Sequence, residues 1–201
     1  MDKVRRKNLR ALLADSGVVS ADSVPPDLTI TDLTIDSRAV QPGSAFVAMS
    51  GTKTHGVSFA AQAVKAGAKA ILWEPVEGVA APNVPNDVTV VAIPQLSRWL
   101  GPIADWFFDA PSANVRVIGV TGTNGKTTTA HVIAEALQKL NVTSGYAGTL
   151  GYGRIGDIRA GELTTPDSIT VHRQLAELRD EGVEAARRIA GGGECRRAEH
   201  R

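Results

Sequence analysis

The 201 residues predict an α/β protein made of two successive units with mainly parallel sheets. Short β-branched runs alternate with amphipathic stretches along most of the chain. A polar, proline-containing break at residues 109–114 separates a first set of elements from a second. That second set opens in the order strand, glycine-rich loop, helix. With 43% hydrophobic and 21% charged residues the chain has enough apolar material for a packed core, which excludes a disordered or fibrous protein.

Taken in order, the first element is a short helix over residues 8–14, followed by strands and one helix. Strands are expected at 44–50, 70–73 and 88–93, each a short β-branched run bounded by Pro or Gly. The intervening helix, 58–66, places Phe59, Ala63, Val64 and Ala66 for burial and stops at Gly67. Residues 74–87 carry three prolines and one glycine and read as surface loop. A helix over 95–108 follows, with Leu96, Leu100, Ile103 and Phe107 on one stripe. The second unit begins with a strand at 115–120, then a loop and a helix carrying Ile133, Leu137 and Leu140 at i, i+4 and i+7. A strand at 143–147 and a helix at 166–181 continue the pattern, giving domains at 1–110 and 111–185.

Residues 186–201 differ from the rest: five arginines, three consecutive glycines, and Ile189 as the single large apolar side chain. No core strand is expected there, so the second parallel sheet should stop after two strands. Two readings stay open, a disordered basic tail and an out-of-frame or truncated gene product joined to a genuine N-terminal part.

Charge and composition narrow the function. Twenty-two Lys and Arg against 21 Asp and Glu leave a net charge of +1, so no bulk field favours nucleic acid or an anionic membrane. No apolar run approaches the roughly 20 residues of a membrane helix, and the charged start resembles no signal peptide, so a cytoplasmic location is expected. The single Cys195 and the scattered His55, His131, His172 and His200 offer neither a disulfide framework nor metal-ligand spacing. His131 is expected to be a partly buried packing residue.

The strongest chemical signal is GVTGTNGKTT, residues 119–128, between an apolar strand and an amphipathic helix. Glycines let the loop turn its amides inward, where a polyphosphate meets the positive end of the helix. In that arrangement Gly122, Thr123, Asn124, Gly125, Lys126, Thr127 and Thr128 surround a polyphosphate. Lys126 reaches the β and γ phosphates, and the Thr127 hydroxyl ligates Mg²⁺. The strict spacing of a glycine five positions before Gly125 is not met, because Val120 stands there; the glycines fall instead at 119, 122 and 125. The rival reading is an ordinary glycine-rich strand-to-helix turn with an exposed lysine.

VTGTNGKTTT resembles the ATP-binding signature of the Mur ligases, which in turn resemble folylpolyglutamate synthetases. Residues 34–56, TIDSRAVQPGSAFVAMSGTKTHG, resemble that family's uridine-nucleotide domain. GTLGYG followed by LTTPD, residues 148–153 and 163–167, resembles its third-amino-acid-adding branch, the MurE type. The resemblance spans about residues 28 to 185. It implies an N-terminal uridine-nucleotide domain followed by the start of a P-loop central domain. It also implies an ATP- and Mg²⁺-dependent enzyme joining meso-diaminopimelate or L-lysine to UDP-N-acetylmuramoyl-L-alanyl-D-glutamate. Catalysis would fall on Lys126 and the loop. Ile35 and Ser37 match positions that contact the uridine nucleotide, and Thr164 and Thr165 match a pair that contacts the muramoyl-peptide.

Each of these has a plainer alternative. Ser37 can simply close a turn before Arg38, and Thr165-Pro166-Asp167 is also a helix start with Thr165 as N-cap. Thr52, Lys53 and Thr54 match a nucleotide-contacting segment of some relatives or a solvated loop, and His55 stands where relatives often carry an acidic residue. Beyond residue 185 the family's next strand, its Ser-Ser-His segment, its carbamylated lysine and its amine-binding domain are not matched, so the chain as given is expected to lack ligase activity. The alternatives are a non-catalytic nucleotide-binding module and another ligase of the folylpolyglutamate type.

Overall fold

The computed structural model describes residues 5–18, 24–51, 54–148, 151–159 and 166–189. The chain divides into two compact units, Met1–Asp109 and Ala110–Arg201.

In the first unit a short strand β1 (Lys7–Asn8) leads into helix α1 (Leu9–Asp15). The Asn8 side chain caps that helix by accepting from the Ala11 amide at 3.0 Å. β1 pairs antiparallel with β2 (Thr29–Ile30), a two-residue pairing with no periodic signal in the sequence. The main sheet is β3 (Asp32–Thr34), β4 (Ser44–Ala48), β5 (Ala70–Trp73) and β6 (Thr89–Ala92), all parallel and in chain order. Every residue of β4 and β5 is buried, as expected of parallel strands covered on both faces. Phe46, Ala48, Ile71 and Trp73 form one of those faces with Val40, Ala63, Ala68 and Val88. Ala63 comes from α2 (Ala60–Lys65), which is shorter than the expected helix because its first turn, Gly56–Phe59, is 3₁₀. Helix α3 (Leu96–Phe107) buries Leu96, Leu100, Ile103, Ala104 and Phe107, the stripe read from its spacing, and packs on α1. The unit ends where Lys7 pairs with Asp109 and the Arg5 guanidinium lies 5.4 Å from the centre of the Phe108 ring.

The second unit starts with a single turn, α4 (Pro111–Asn114), and continues as β7 (Arg116–Val120), α5 (Lys126–Lys139) and β8 (Ser144–Gly148). A hairpin of β9 (Gly151–Arg154) and β10 (Asp157–Arg159), then α6 (Ser168–Asp180) and β11 (Ala185–Ile189), complete it. The sheet order is β10-β9-β8-β11-β7. β11 runs parallel to both of its neighbours, while the hairpin adds antiparallel pairs.

This corrects the expectation that no strand lies beyond residue 185: the ladder continues through Ile189, between β7 and β8. The buried Val183 and Ala185 lead the chain into that slot, and a backbone ladder asks only for extended chain, not for an apolar sequence. Residues 190–201 lie outside the described residues.

The sheet has a helix side for each of its two long helices. Val120 and Tyr146 cluster with Ala130 of α5, joined by the half-buried Ile133 and Ile155. Val115 and Val183 cluster with Val171, Leu175 and Leu178 of α6. The apolar stripe of α5 differs from the spacing read in the sequence. Ala130 and Ala134 are its buried residues, Leu137 is half-buried, and Leu140 is exposed because the helix ends before it. His131, expected to be partly buried, is exposed on the same helix. On the other side Gly145 sits so close to α6 that a Cβ would come 3.0 and 3.2 Å from the Leu178 methyls.

Arg159 of β10 ties the hairpin to α6. Its guanidinium pairs with Glu181, lies 3.7 Å from Glu177, and stands 5.7 Å from the centre of the Tyr152 ring. Burial pushes the Tyr152 phenol above its usual range, and the hydrogen bond to Glu177 pushes the same way.

Two outcomes follow from this packing. Gly145→Val should destabilise the second unit by roughly 1–3 kcal/mol through overpacking against Leu178. Because Trp73, Trp99 and Trp106 all lie in the first unit, the loss should appear in the far-ultraviolet circular dichroism of a urea titration while the tryptophan fluorescence midpoint stays in place. Tyr152, whose pKa is raised on folding, contributes stability below the ordinary tyrosine range of about 10 and loses it as pH climbs through the higher folded value. The fall in stability of the second unit above about pH 10 should therefore be shallower in Tyr152→Phe, read from parallel urea titrations.

Candidate functional site

The phosphate loop connects the end of β7 to the start of α5. β7 ends at Val120, residues 121–125 are exposed, and α5 begins at Lys126. Gly125 stands in the N-cap position with φ of 76°, and Gly122 has φ of 144°, both conformations that favour glycine. No side chain caps α5, so its first amides stay open at the positive end of the helix dipole. The first backbone bond of the helix is from Thr129 N–H to the Gly125 carbonyl, at 2.8 Å.

Lys126 is half-buried and folds back over the loop, where its ammonium donates to the Gly122 carbonyl and lies 3.5 Å from the Thr123 carbonyl. A cation is thus held beside a row of open amides, the combination that takes a phosphate chain. Thr123, Asn124, Thr127 and Thr128 are exposed around it. No cluster of three His, Cys, Asp or Glu side chains able to hold a metal exists among the described residues. The donor set fits Mg²⁺ as that ion is bound with polyphosphates, through one hydroxyl such as that of Thr127 together with water and phosphate oxygens.

A second group of loops gathers at the carboxyl ends of the parallel strands in the first unit, where open α/β sheets take ligands. After β3, Thr34 Oγ1 accepts from the Asp36 amide at 3.1 Å, and Asp36 accepts from the Arg38 amide at 2.9 Å. The Arg38 guanidinium grips the same carboxylate through both oxygens, and that hydrogen bonding holds the Asp36 pKa below its usual range. Ile35 and Ser37, paired by the sequence reading, part ways here. Ile35 is 37% exposed, while Ser37 is buried and its Oγ donates to Gln62 Oε1 of α2 at 3.2 Å.

After β4, Ser50 bridges to His55. His55 Nδ1 accepts from the Val57 amide at 3.1 Å, and Nε2 lies 3.1 Å from the Glu74 carbonyl after β5. These two bonds require the neutral ring with its proton on Nε2. His55 is therefore the N-cap of the 3₁₀ turn, a place an acidic side chain fills equally well. Thr52 and Lys53 lie outside the described residues.

Thr164 and Thr165 also lie outside the described residues. The cap of α6 is Asp167 rather than Thr165. It accepts from the Ile169 and Thr170 amides at 2.8 and 3.1 Å and from the Thr170 hydroxyl at 2.6 Å. A carboxylate there meets both the free amides and the dipole, so the helix starts one residue after Asp167. The sequence reading also missed Tyr146, which carries no motif and is marked only by its burial beside the strand that feeds the loop.

Comparison with known proteins agrees with this geometry. Residues 29–107 match the Mur ligase family, catalytic domain, and residues 120–187 match the Mur ligase middle domain; together these cover most of the chain. Among curated relatives, the UDP-N-acetylmuramoyl-L-alanyl-D-glutamate--2,6-diaminopimelate ligase of Xanthomonas campestris pv. campestris is 47% identical over 159 residues, 79% of this chain and 32% of that protein. The protein of the same name from Pseudomonas syringae pv. tomato is 41% identical over the same length. This chain thus spans about a third of the length of the curated relatives it matches.

A solved structure of a UDP-N-acetylmuramoyl-L-alanyl-D-glutamate--2,6-diaminopimelate ligase superposes with a TM-score of 0.65 at 27% identity, over 83% of this chain and 33% of that one. The UDP-N-acetylmuramoylalanyl-D-glutamyl-2,6-diaminopimelate--D-alanyl-D-alanyl ligase of Acinetobacter baumannii shares the fold at 21% identity and a TM-score of 0.65, over 97% of this chain and 38% of that one. With both family patterns in order along one chain, and the glycine loop at the start of the second, the protein belongs to the Mur ligase family.

Proposed function

We propose that this chain carries the nucleotide-binding part of an ATP-dependent amide ligase of peptidoglycan precursor synthesis, of the type that adds a diamino acid to UDP-N-acetylmuramoyl-L-alanyl-D-glutamate. The observation that carries the reading is the phosphate loop: open amides at the start of α5 with the Lys126 ammonium folded against them. The 47% identity to a ligase named for 2,6-diaminopimelate supports that amine over L-lysine.

The chemistry such a site serves explains its parts. A carboxylate is a poor electrophile, so the γ-phosphoryl of ATP passes to a carboxylate oxygen of the substrate's glutamate. ADP leaves, and an acyl phosphate results. The incoming amine attacks the acyl carbon, the amide bond forms, and phosphate departs with the former carboxylate oxygen. The protein's share is to position the phosphates and neutralise their charge, which needs no covalent nucleophile. The loop amides would hold the phosphate chain while Lys126 moves from the Gly122 and Thr123 carbonyls onto it. Mg²⁺, held in part by Thr127, would supply charge compensation at the phosphate oxygens. The exposed Ile35 would face the uridine nucleotide, with Ser37 acting through its bond to Gln62 to set the loop. Thr164 and Thr165 would meet the muramoyl-peptide. A reaction that draws on ATP and a uridine nucleotide would run in the cytoplasm.

A second reading, nucleotide binding without ligation, rests on the same open amides and Lys126 at the start of α5. Calorimetry with ADP and Mg²⁺ tests the common core of both readings. The chain is expected to bind, and Lys126→Ala should weaken binding by about tenfold or more, at least ~1.4 kcal/mol. Equal affinity in that variant would refute the loop as the phosphate site. The two readings separate on turnover: the 201-residue chain is expected to release no ADP from ATP when given both UDP-N-acetylmuramoyl-L-alanyl-D-glutamate and 2,6-diaminopimelate. Release that needs both substrates would establish ligation by this chain alone.

A further inference from the structure

Two hydroxyls on β8, those of Ser144 and Tyr146, are buried without a hydrogen-bond partner among the described residues. Tyr146 is 3% exposed and Ser144 5%. Two positions apart on one strand, they share a face. Gly145 between them presses on Leu178 of α6, so their face is the one toward α5.

The surroundings of the two differ. Tyr146 clusters with Val120, the last residue before the phosphate loop, and with Ala130, in the second turn of the helix after it. Through β11 its position is level with Ile118, whereas Ser144 lies two residues further from the loop end of the sheet. A tyrosine whose ring is wholly absorbed in packing should be a phenylalanine. Burying an unpaired hydroxyl is costly, and such a group in a native fold calls for a reason.

The loop itself supplies one. Around Gly125, at the end of the loop, no atom beyond its chain neighbours lies within 4 Å of where a Cβ would stand, so the loop is open on that side. Lys126 holds the Gly122 and Thr123 carbonyls, and a bound phosphate would draw its ammonium away.

We infer that Tyr146 is a positioning residue for the phosphate loop, its hydroxyl donating to a backbone carbonyl at the Val120 end of the loop once the phosphates of a nucleotide occupy it. The hydroxyl is then paired in the bound state and orphaned in the free one. Its worth appears in affinity rather than in the stability of the free protein. The inference rests on the phosphate-site reading above and adds to it a buried residue that no motif marks.

The test compares Tyr146→Phe with Ser144→Ala in the full chain, using ADP with Mg²⁺ as the probe, calorimetry for affinity, and thermal melts of the nucleotide-free protein for stability. Tyr146→Phe should bind ADP about three- to tenfold more weakly while melting at the same or a higher temperature, as expected for the loss of one net hydrogen bond made only in the complex. Ser144→Ala should keep wild-type affinity. Unchanged affinity in Tyr146→Phe overturns the inference. So does a loss of affinity shared by both variants in step with lost stability, which would mark packing alone. If the wild-type chain binds no ADP, the phosphate-site reading itself fails and takes this inference with it.

Discussion

The ladder that joins β7 to β11 fixes where the phosphate loop sits, because β7 lies at the edge of its sheet and pairs with no other strand among the described residues. Five residue pairs, Ala185 with Arg116 through Ile189 with Val120, carry that strand to the point where the loop begins. β11 pairs β8 on its other side, so a single strand connects the loop-bearing strand to the hairpin and to α6. The last pair of the ladder is Val120 itself, and Val120 is buried against Ala130. Strand, loop and first turns of α5 are thereby fixed at both ends while the loop residues between them stay exposed. A flexible, glycine-bearing anion site needs that arrangement: free amides between two rigid anchors.

The same logic of parallel strands governs the first unit, though with different chemistry at the strand ends. All four strands of its main sheet run one way, so the loops that follow β3, β4 and β5 emerge on one side. There the backbone is organised by side chains instead of glycines: Thr34 and Asp36 bond the turn that presents Ile35, Ser37 fastens it to α2, and His55 ties the loop after β4 to the carbonyl after β5. Asp36 does this while paired with Arg38, so the turn carries no net charge of its own. The contrast with the second unit is physical. A site for a phosphate chain needs open amides and a cation, whereas a site for a nucleoside needs shape and a few oriented polar groups.

Periodicity made the larger elements legible in the sequence. The stripe Leu96, Leu100, Ile103 and Phe107 is the buried face of α3, and β5 occupies the four residues read for it. The glycine spacing likewise placed the loop between β7 and α5. The misses share a cause, which is that pairing partners far apart in sequence leave no local pattern. β11 contains two arginines and takes its place from the ladder rather than from apolar content, and the hairpin β9-β10 has only nine residues, with two glycines in its first arm and one in its turn. Leu140 completed a helical period on paper, but α5 had already ended at Lys139 and its close contacts are made by alanines. At the sites the sequence showed residue types and not their engagements. Ile35 and Ser37 are two positions apart, yet one is exposed and the other is spent on Gln62, and Asp167 rather than Thr165 starts α6.

On the proposed reading, the partners of Lys126 bear on how a protein with a net charge of only +1 would attract a polyanion. Among the described residues its ammonium is held by two backbone carbonyls and not by a carboxylate. Had an aspartate or glutamate filled that role, the pair would be neutral, and a phosphate would have to displace a formal charge to bind. Carbonyl dipoles orient the cation while leaving its full charge to act on the ligand, and the open amides of α5 add their partial charges in the same place. Such an attraction would be local and pre-arranged rather than a property of the whole surface. An arginine would be a poorer choice at this position: its wide planar fork is built for bidentate carboxylates and phosphates at a surface, whereas a compact ammonium can exchange two carbonyls for phosphate oxygens with a short movement of a flexible stem.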